Sequence, residues 1–277
     1  MAAGIVNVTV DSMFEGARSG TPEQAIADGI GLVEAGFDML DVGAVAARSG
    51  PPVGVEDECA VLIPAIEGIA APAIGADDGD DGETGTRVPV SADTFQVEVA
   101  RRALDAGAVC VNDISGGCDE MFELVADRGC GYVLMQIEGP PRVDRPWREY
   151  DDAVDHLMRW FEERIERMRE LGVADEQIAI DPGLDFDLSP EQDLEVIRRL
   201  GELKALGPAL YVSLSRKDFI GAVLGGSWEE RLSPGEREWG TVAATTLAVR
   251  AGADILRLHD RSSLQAMRLA GAVVRGA

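Results

Sequence analysis

The feature that most constrains the fold of this 277-residue chain is a regular alternation of short β-branched segments with longer amphipathic ones. The short segments, which predict strands, are Gly4–Thr9, Asp38–Val42, Val88–Asp93, Val109–Asn112, Gly131–Gln136, Gln177–Asp181, Ala209–Ser213 and Asp254–Leu258. The amphipathic segments, which predict helices, are Pro22–Ala35, Val55–Ile69, Gln96–Ala106, Met121–Arg128, Tyr150–Leu171, Pro190–Leu200, Gly240–Ala251 and Ser262–Val274. Eight such units predict an α/β fold, a single (β/α)8 TIM barrel of about 250 residues.

Glycine-containing turns support a parallel arrangement of the strands. Gly36, Gly107 and Gly252 each stand between a predicted helix and the strand that follows it, which is typical of the connections in a parallel sheet. An open, doubly wound sheet is the alternative. It is weakened because no G-x-G-x-x-G sequence follows the first strand.

We expect one domain that covers residues 1–277. The segment Ala71–Arg87 contains the acidic run Asp77–Glu83, which can bury little apolar surface, and it is predicted to be a solvated loop insertion. The segment Gly225–Glu238 is expected to elaborate the seventh helical region.

The charge balance disfavours nucleic acid and anionic membranes as partners. The chain has 25 basic and 50 acidic residues, a net charge of -25, whereas phosphate binding by nucleic-acid or membrane-surface proteins needs clustered basic residues. A hydrophobic content of 46% excludes a disordered acidic chain.

No apolar run of about 18 residues and no signal sequence is present, so we expect a cytoplasmic protein. The four cysteines form no C-x-x-C pair and are expected to be reduced thiols.

Only two of the basic residues are lysines, Lys204 and Lys217. An acidic, lysine-poor surface suits a cytoplasm of molar salt, because screening removes the self-repulsion of the charges. We therefore expect a halophilic origin, with a merely acidic protein of ordinary salt as the alternative.

Rare residue types concentrate where a barrel carries its chemistry, at the carboxyl ends of the strands and in the loops that follow. Asparagine and histidine, like lysine, each occur only twice. The polar residues predicted at this end are Asn7, Asp41, Asp93, Asn112, Gln136, Asp181, Ser215, Arg216, Lys217, Arg257 and His259.

These residue types predict two neighbouring subsites. Carboxylates and an amide at Asp93, Asn112 and Asp181, with Lys217 nearby, suit a flat heterocycle that presents N–H donors. Arg257 and His259 lie two residues apart on the eighth strand and so share a direction; barrels frequently hold phosphate in this region. The alternative is a salt-bridge cluster that closes the barrel.

The chain resembles the dihydropteroate synthases, and more broadly the pterin-binding barrels. The matching stretches are Gly4–Ser12, Asp41–Gly43 with Arg48 and Gly50, Ser91–Thr94, Val111–Gly117, Ile180–Gly183, Ser215–Gly221 and Arg257–Asp260. The resemblance implies a transferase that joins 6-hydroxymethyl-dihydropterin pyrophosphate to p-aminobenzoate, or a related aryl amine, with release of pyrophosphate, in folate-type cofactor biosynthesis. The acidic composition makes a halophilic archaeal member the expectation, and members of the family are commonly homodimers.

The resemblance also implies a role for each matching residue. The pterin-binding residues would be Asp93, Asn112, Met135, Asp181 and Lys217. Asn7, Arg257 and His259 would bind pyrophosphate, with Mg²⁺ as the cofactor at Asn7. The aminobenzoate side would comprise Arg48, Ser215 and Phe186, near a helix start whose N–H groups favour a carboxylate. Lys217, Arg257, His259 and Asp93 would be the catalytic residues.

The acceptor side departs from the family pattern. The second loop keeps only Arg48 and Gly50 of the usual G-E-S-T-R-P-G sequence, and Asp185-Phe186-Asp187-Leu188 replaces the usual G-F-G-K. Two alternatives stay open on these grounds. One is a pterin-binding barrel with another acceptor or with methyl-transfer chemistry, and the other is a non-catalytic pterin-binding paralogue.

Overall fold

Eight parallel strands close into a barrel in their sequence order, and the eighth strand pairs with the first. The structure, a computed structural model, describes residues 1–8, 19–47, 50–71, 88–143 and 146–276. The strands are β1 (Ala2–Asn7), β2 (Met39–Gly43), β3 (Val90–Asp93), β4 (Cys110–Asp113), β5 (Gly131–Met135), β6 (Ile178–Asp181), β7 (Ala209–Ser213) and β8 (Ile255–Leu258). The predicted (β/α)8 barrel is confirmed.

The helices of the described residues surround the barrel. They are α1 (Pro22–Glu34), α2 (Val55–Ala70), α3 (Val97–Asp105), α4 (Asp119–Arg128), α5 (Ala153–Glu170), α6 (Pro190–Arg199), α7 (Asp218–Gly225), α8 (Glu238–Ala251) and α9 (Arg261–Arg275). Capping residues define several starts: Thr21 accepts a hydrogen bond from Gln24 N before α1, and Ser189 forms a capping box with Gln192 before α6. None of these helices combines the length and the apolar content that crossing a bilayer requires.

The sequence pattern missed α7. This helix has eight residues and is buried along most of its first turns, so it lacks the polar face that identifies an amphipathic helix. The predicted elaboration at Gly225–Glu238 contains a short 3-10 turn, Pro234–Arg237, that leads into α8. Residues 72–87 of the predicted acidic loop lie outside the described residues, as does Arg48.

Apolar residues fill the lower part of the barrel interior. Ala3, Met39, Val133, Ala179 and Tyr211 form a buried cluster there, while larger clusters fill the space between the strands and the helices. Because successive strand residues alternate between the interior and the helix layer, the inward positions near the carboxyl ends are the ones left for polar side chains. The barrel therefore has one polar mouth above an apolar floor.

Candidate active site

Four polar side chains from four strands meet at the barrel mouth. Arg257 on β8 donates from Nε to Asp41 Oδ2 (2.5 Å) and from Nη2 to Asp93 Oδ2 (2.7 Å). Asn112 on β4 donates from Nδ2 to the same oxygen of Asp41 (3.0 Å). Gly43, level with Asp93 in the β2–β3 pairing, makes room for this group, because a Cβ there would lie 3.1 Å from Asp93 Oδ2.

Asp41 is the residue whose role the sequence did not reveal. The sequence places Asp41 at the end of a strand without a role, yet its side chain is fully buried and accepts hydrogen bonds from both Asn112 and Arg257. A carboxylate accepts hydrogen bonds, so the amide nitrogen of Asn112 faces Asp41 and the amide oxygen is left as an acceptor. Asp41 thus sets the direction in which Asn112 presents its acceptor.

Burial governs the charge states of this group. It raises the pKa of Asp93 to about 7, although Arg257 beside it acts in the opposite direction. Burial alone would lower the pKa of Arg257, but Asp41 and Asp93 outweigh it and hold that pKa above its ordinary value. The guanidinium therefore stays charged while Asp93 can titrate near neutral pH.

Asp181 ends β6 and is fixed by the turn that follows it. Its Oδ1 accepts a hydrogen bond from Gly183 N (2.9 Å). Gly183 has a φ of 69° and a Cβ there would lie 2.1 Å from the carbonyl oxygen of Gln136, so only glycine fits. Burial raises the pKa of Asp181 to about 6, against the opposing charge of Lys217.

Lys217 stands where α7 begins and reaches back to the β6 turn. Its Nζ donates to the carbonyl oxygen of Leu184 (3.1 Å) and lies 4.6 Å from the centre of the Phe186 ring, a cation–π arrangement. The structure thus joins a predicted pterin ligand, Lys217, with a predicted acceptor-side residue, Phe186.

The residue before Lys217 holds this segment in place. Arg216 has a φ of 58° and is buried. Its guanidinium pairs with both oxygens of Asp260 (3.0 and 2.9 Å), and its backbone N donates to Thr241 Oγ1 (3.0 Å). The loop after β7 is therefore tied to α8 and to the start of α9.

Ser215 lies beside His259, which places it with the predicted pyrophosphate residues. Its Oγ accepts from His259 N (3.2 Å) and lies 2.8 Å from His259 Nδ1. Burial and the charges of Arg257, Arg216 and Lys217 lower the pKa of His259 to about 3. The imidazole is therefore neutral, and when the Ser215 hydroxyl donates to Nδ1, the proton is on Nε2 as a donor.

The other predicted site residues take distinct positions. Asn7 is half-buried at the end of β1, and Met135 lies in an apolar cluster with Ile114 and Ile137 at the mouth. Within the described ranges, no group of three His, Cys, Asp or Glu side chains could hold a metal ion. The structure says nothing of Arg48.

The start of α7 differs from the sequence expectation. The N–H groups of Asp218 and Phe219, which were expected to favour an acceptor's carboxylate, donate to Asp185 Oδ2 (2.7 Å) and Oδ1 (2.9 Å). A side chain of the protein itself thus uses the first two donors of this helix.

A parallel barrel whose mouth presents buried carboxylates and an amide acceptor has the form of a barrel enzyme that binds a hydrogen-bonding heterocycle, and comparison with known proteins gives the same class. The sequence matches the profile of the pterin binding enzymes over residues 3–259. It is 35% identical over 276 residues to the dihydropteroate synthase of Synechocystis sp., with 98% of this chain and 89% of that protein covered. The chain belongs to the pterin-binding enzymes and, among them, to the dihydropteroate synthase family.

Two further relatives are informative. The chain is 36% identical over 262 residues to inactive dihydropteroate synthase 2 of Mycobacterium leprae, with 92% of this chain and 84% of that protein covered. The solved structure of Xanthomonas albilineans dihydropteroate synthase in complex with 7,8-dihydropteroate has a TM-score of 0.79 and 33% identity, with 98% and 92% of the two chains covered.

We expect the affinity for a pterin ring to fall as the pH drops through about 6. Protonation of Asp181, whose pKa is raised to about 6, removes an acceptor for the N–H groups of the ring. Asp93, with a pKa of about 7, adds an earlier fall of the same sign, whereas His259, with a pKa of about 3, does not titrate in this range. Calorimetric titration with 6-hydroxymethylpterin from about pH 5 to about pH 7.5 at constant KCl measures the effect. Asp181→Asn is the control: it should bind weakly and keep only the change near pH 7 that comes from Asp93, without the step near pH 6. An affinity of the unmodified protein that stays constant over this range would contradict the assignment.

Proposed function

We propose that this protein acts as a dihydropteroate synthase that joins 6-hydroxymethyl-dihydropterin pyrophosphate to p-aminobenzoate, or a related aryl amine, and releases pyrophosphate. The observation that carries the proposal is the position of Arg257. Its guanidinium bonds Asp41 and Asp93, next to the Asn112 acceptor, and its charge also acts on His259. One mouth thereby combines acceptors for a pterin with donors for a leaving anion.

The chemistry needs little beyond positioning and charge. The bond between the pterin methylene carbon and the pyrophosphate oxygen breaks, and its electron pair leaves with pyrophosphate. Arg257 and an N–H of neutral His259 stabilise the charge on that oxygen. Asp93 and Asp181 stabilise the cationic methylene carbon that remains. The neutral aromatic amine then forms the C–N bond and releases a proton.

The family implies Mg²⁺, and Asn7 fits it as a single ligand. Mg²⁺ is commonly bound through one or two protein oxygens, several waters and substrate phosphates, and the half-buried amide of Asn7 supplies one hard oxygen. Mg²⁺ would therefore be held by Asn7 together with the pyrophosphate of the substrate. When bound, it would add positive charge near the leaving group.

The acceptor is proposed to lie beyond Lys217, against Phe186. A cavity of about 350 Å³ opens on this side, and its lining includes Ala47, Ile137, Phe186, Trp147 and Trp228. Arg48, one residue after Ala47, would contribute from the second loop. Ser215 is better assigned to the pyrophosphate side because of its contact with His259.

The two alternatives differ in what they require of the site. Methyl transfer needs no pyrophosphate donors, so Arg257 and His259 argue against it. A non-catalytic pterin-binding protein is favoured by the altered second loop and by the likeness to the relative named inactive.

We expect release of pyrophosphate that depends on both the pterin pyrophosphate and p-aminobenzoate, measured with Mg²⁺ in molar KCl. Asp181→Ala should abolish pterin binding. Arg257→Ala should weaken pyrophosphate binding more than pterin binding and should also lower the stability of the fold, because it leaves Asp41 and Asp93 without their cation. Loss of one donor to a developing anion lowers kcat by about 10²-fold or more. Asp152→Gly, a change at the start of α5, is the control with unchanged turnover. Pterin binding without turnover would favour the non-catalytic alternative.

We propose a homodimer that forms through the outer face of α7, α8 and α9. Large apolar side chains are exposed on these helices, among them Leu224 (52%), Trp239 (78%) and Leu247 (54%). Exposed apolar patches of this kind mark interaction surfaces. Leu247→Glu should shift the protein from dimer to monomer in sedimentation velocity, whereas Val109→Glu, at an equally exposed valine before β4, should not. If the unmodified protein sediments as a monomer, the proposed dimer is wrong.

We also propose a cytoplasmic protein of a halophile, supported by the net charge of -25, the two lysines and four free cysteines. Molar salt shortens the Debye length to about 3 Å, so the acidic surface repels itself much less. The thermal unfolding midpoint, followed by circular dichroism, should rise steeply with KCl, and the fold should be lost in dilute buffer. Full stability without salt would contradict the proposal.

A further inference from the structure

We propose that Asp185 determines acceptor specificity: its carboxylate occupies the helix N–H groups that would otherwise receive the carboxylate of a benzoate acceptor. This inference rests on the proposed function, because it concerns which aryl amines the same site accepts. Compared with other members of the family, the site should favour an aryl amine whose para group is uncharged.

Asp185 binds the start of α7 with both oxygens. Asp218 N donates to Oδ2 (2.7 Å) and Phe219 N donates to Oδ1 (2.9 Å). The first N–H groups of a helix have no partner within the helix and attract anions. A bidentate carboxylate at this point uses the same donors that an anionic ligand would use.

The backbone of Asp185 is fixed as well. Its own N donates to both oxygens of Asp193 on α6 (3.2 and 3.1 Å), and both residues are almost fully buried. Asp185 has a φ of 75°, a conformation that glycine adopts without strain and that aspartate tolerates. The carboxylate is therefore anchored between α6 and α7, and moving it would break hydrogen bonds at both ends.

The neighbours of Asp185 place this carboxylate beside the acceptor. Leu184 accepts the hydrogen bond of Lys217 Nζ, and the Phe186 ring lies under the same ammonium. Asp185 stands between these two residues in sequence and binds the two residues that follow Lys217. An acceptor bound against Phe186 and Lys217 would thus meet the Asp185 carboxylate at the start of α7.

The cavity beyond Phe186 independently favours an uncharged group. Asp187 and Glu229 are part of its lining. Arg142 also lines it, but its terminal nitrogens donate to the carbonyl oxygens of Ala46 (2.7 Å) and Pro51 (2.8 Å). The described part of the lining therefore contains two acidic side chains and one cation that is already bonded to the backbone. This setting is unfavourable for the carboxylate of an acceptor.

The test compares two acceptors that differ only in charge, p-aminobenzoate and p-aminobenzamide. The readout is the ratio of their kcat/KM values with saturating pterin pyrophosphate and Mg²⁺ at constant KCl. For the unmodified protein we expect the value for p-aminobenzoate divided by that for p-aminobenzamide to lie below one. Asp185→Gly frees both N–H groups without backbone strain. It should raise this ratio about tenfold, which corresponds to about 1.4 kcal/mol. The change should come mainly from a lower KM for p-aminobenzoate.

Two further variants separate specificity from folding. Asp185→Asn keeps the size of the side chain and removes its charge, so the ratio should rise by less than in Asp185→Gly. Asp152→Gly makes the same change at another helix start, where Asp152 caps α5 by accepting from Asp155 N, and should leave the ratio unchanged.

The outcomes distinguish this inference from the proposed function. Turnover of neither acceptor by the unmodified protein contradicts the proposed function. Turnover with a ratio that Asp185→Gly leaves unchanged, or an equal loss for both acceptors, overturns the role of Asp185 and leaves the proposed function standing.

Discussion

The shared bonds of Arg257 with Asp41 and Asp93 are the constraint on which the rest of the structure depends. Arg257 lies on β8, which pairs with β7 and β1, whereas the two carboxylates lie on β2 and β3. The guanidinium therefore reaches across the mouth, and its partners are in place only when the barrel has closed in register. Loss of one partner from such a buried set typically costs about 3–5 kcal/mol. The group formed by Arg257, Asp41 and Asp93 is therefore complete only in the closed barrel.

The sequence predicted those features that follow from topology alone. Alternating periods gave eight strand–helix units, and a parallel barrel brings every strand's carboxyl end to one edge, so Asp93, Asn112 and Asp181 could be grouped without a structure. The partner of each residue could not be predicted in the same way. Asp41 and Arg257 are 216 positions apart, and which carboxylate meets which arginine depends on the stagger of the strands.

The acceptor side was less predictable, for a local reason. The family resemblance, and not the periodicity, implied a helix start near Lys217 whose N–H groups favour a carboxylate. It could not indicate that Asp185, in a left-handed conformation within a loop, supplies that anion. Periodicity describes helices and strands, whereas this contact depends on one backbone dihedral in the turn after β6. Short, buried α7 escaped detection because its apolar residues surround it rather than forming a stripe.

The surface charges that give the net charge of -25 and the buried charges of the mouth act over different distances. In molar salt, surface charges act over only about 3 Å, so they can neither attract nor repel a distant substrate. Buried charges are screened much less, and at the mouth Arg257 is held by Asp41 and Asp93, and Arg216 by Asp260. In molar salt, the pyrophosphate of the proposed substrate would be recognised through contact with these fixed groups. Selectivity for ligands is then a matter of which hydrogen-bond donors the protein leaves unused, and at the start of α7 it uses two of them itself.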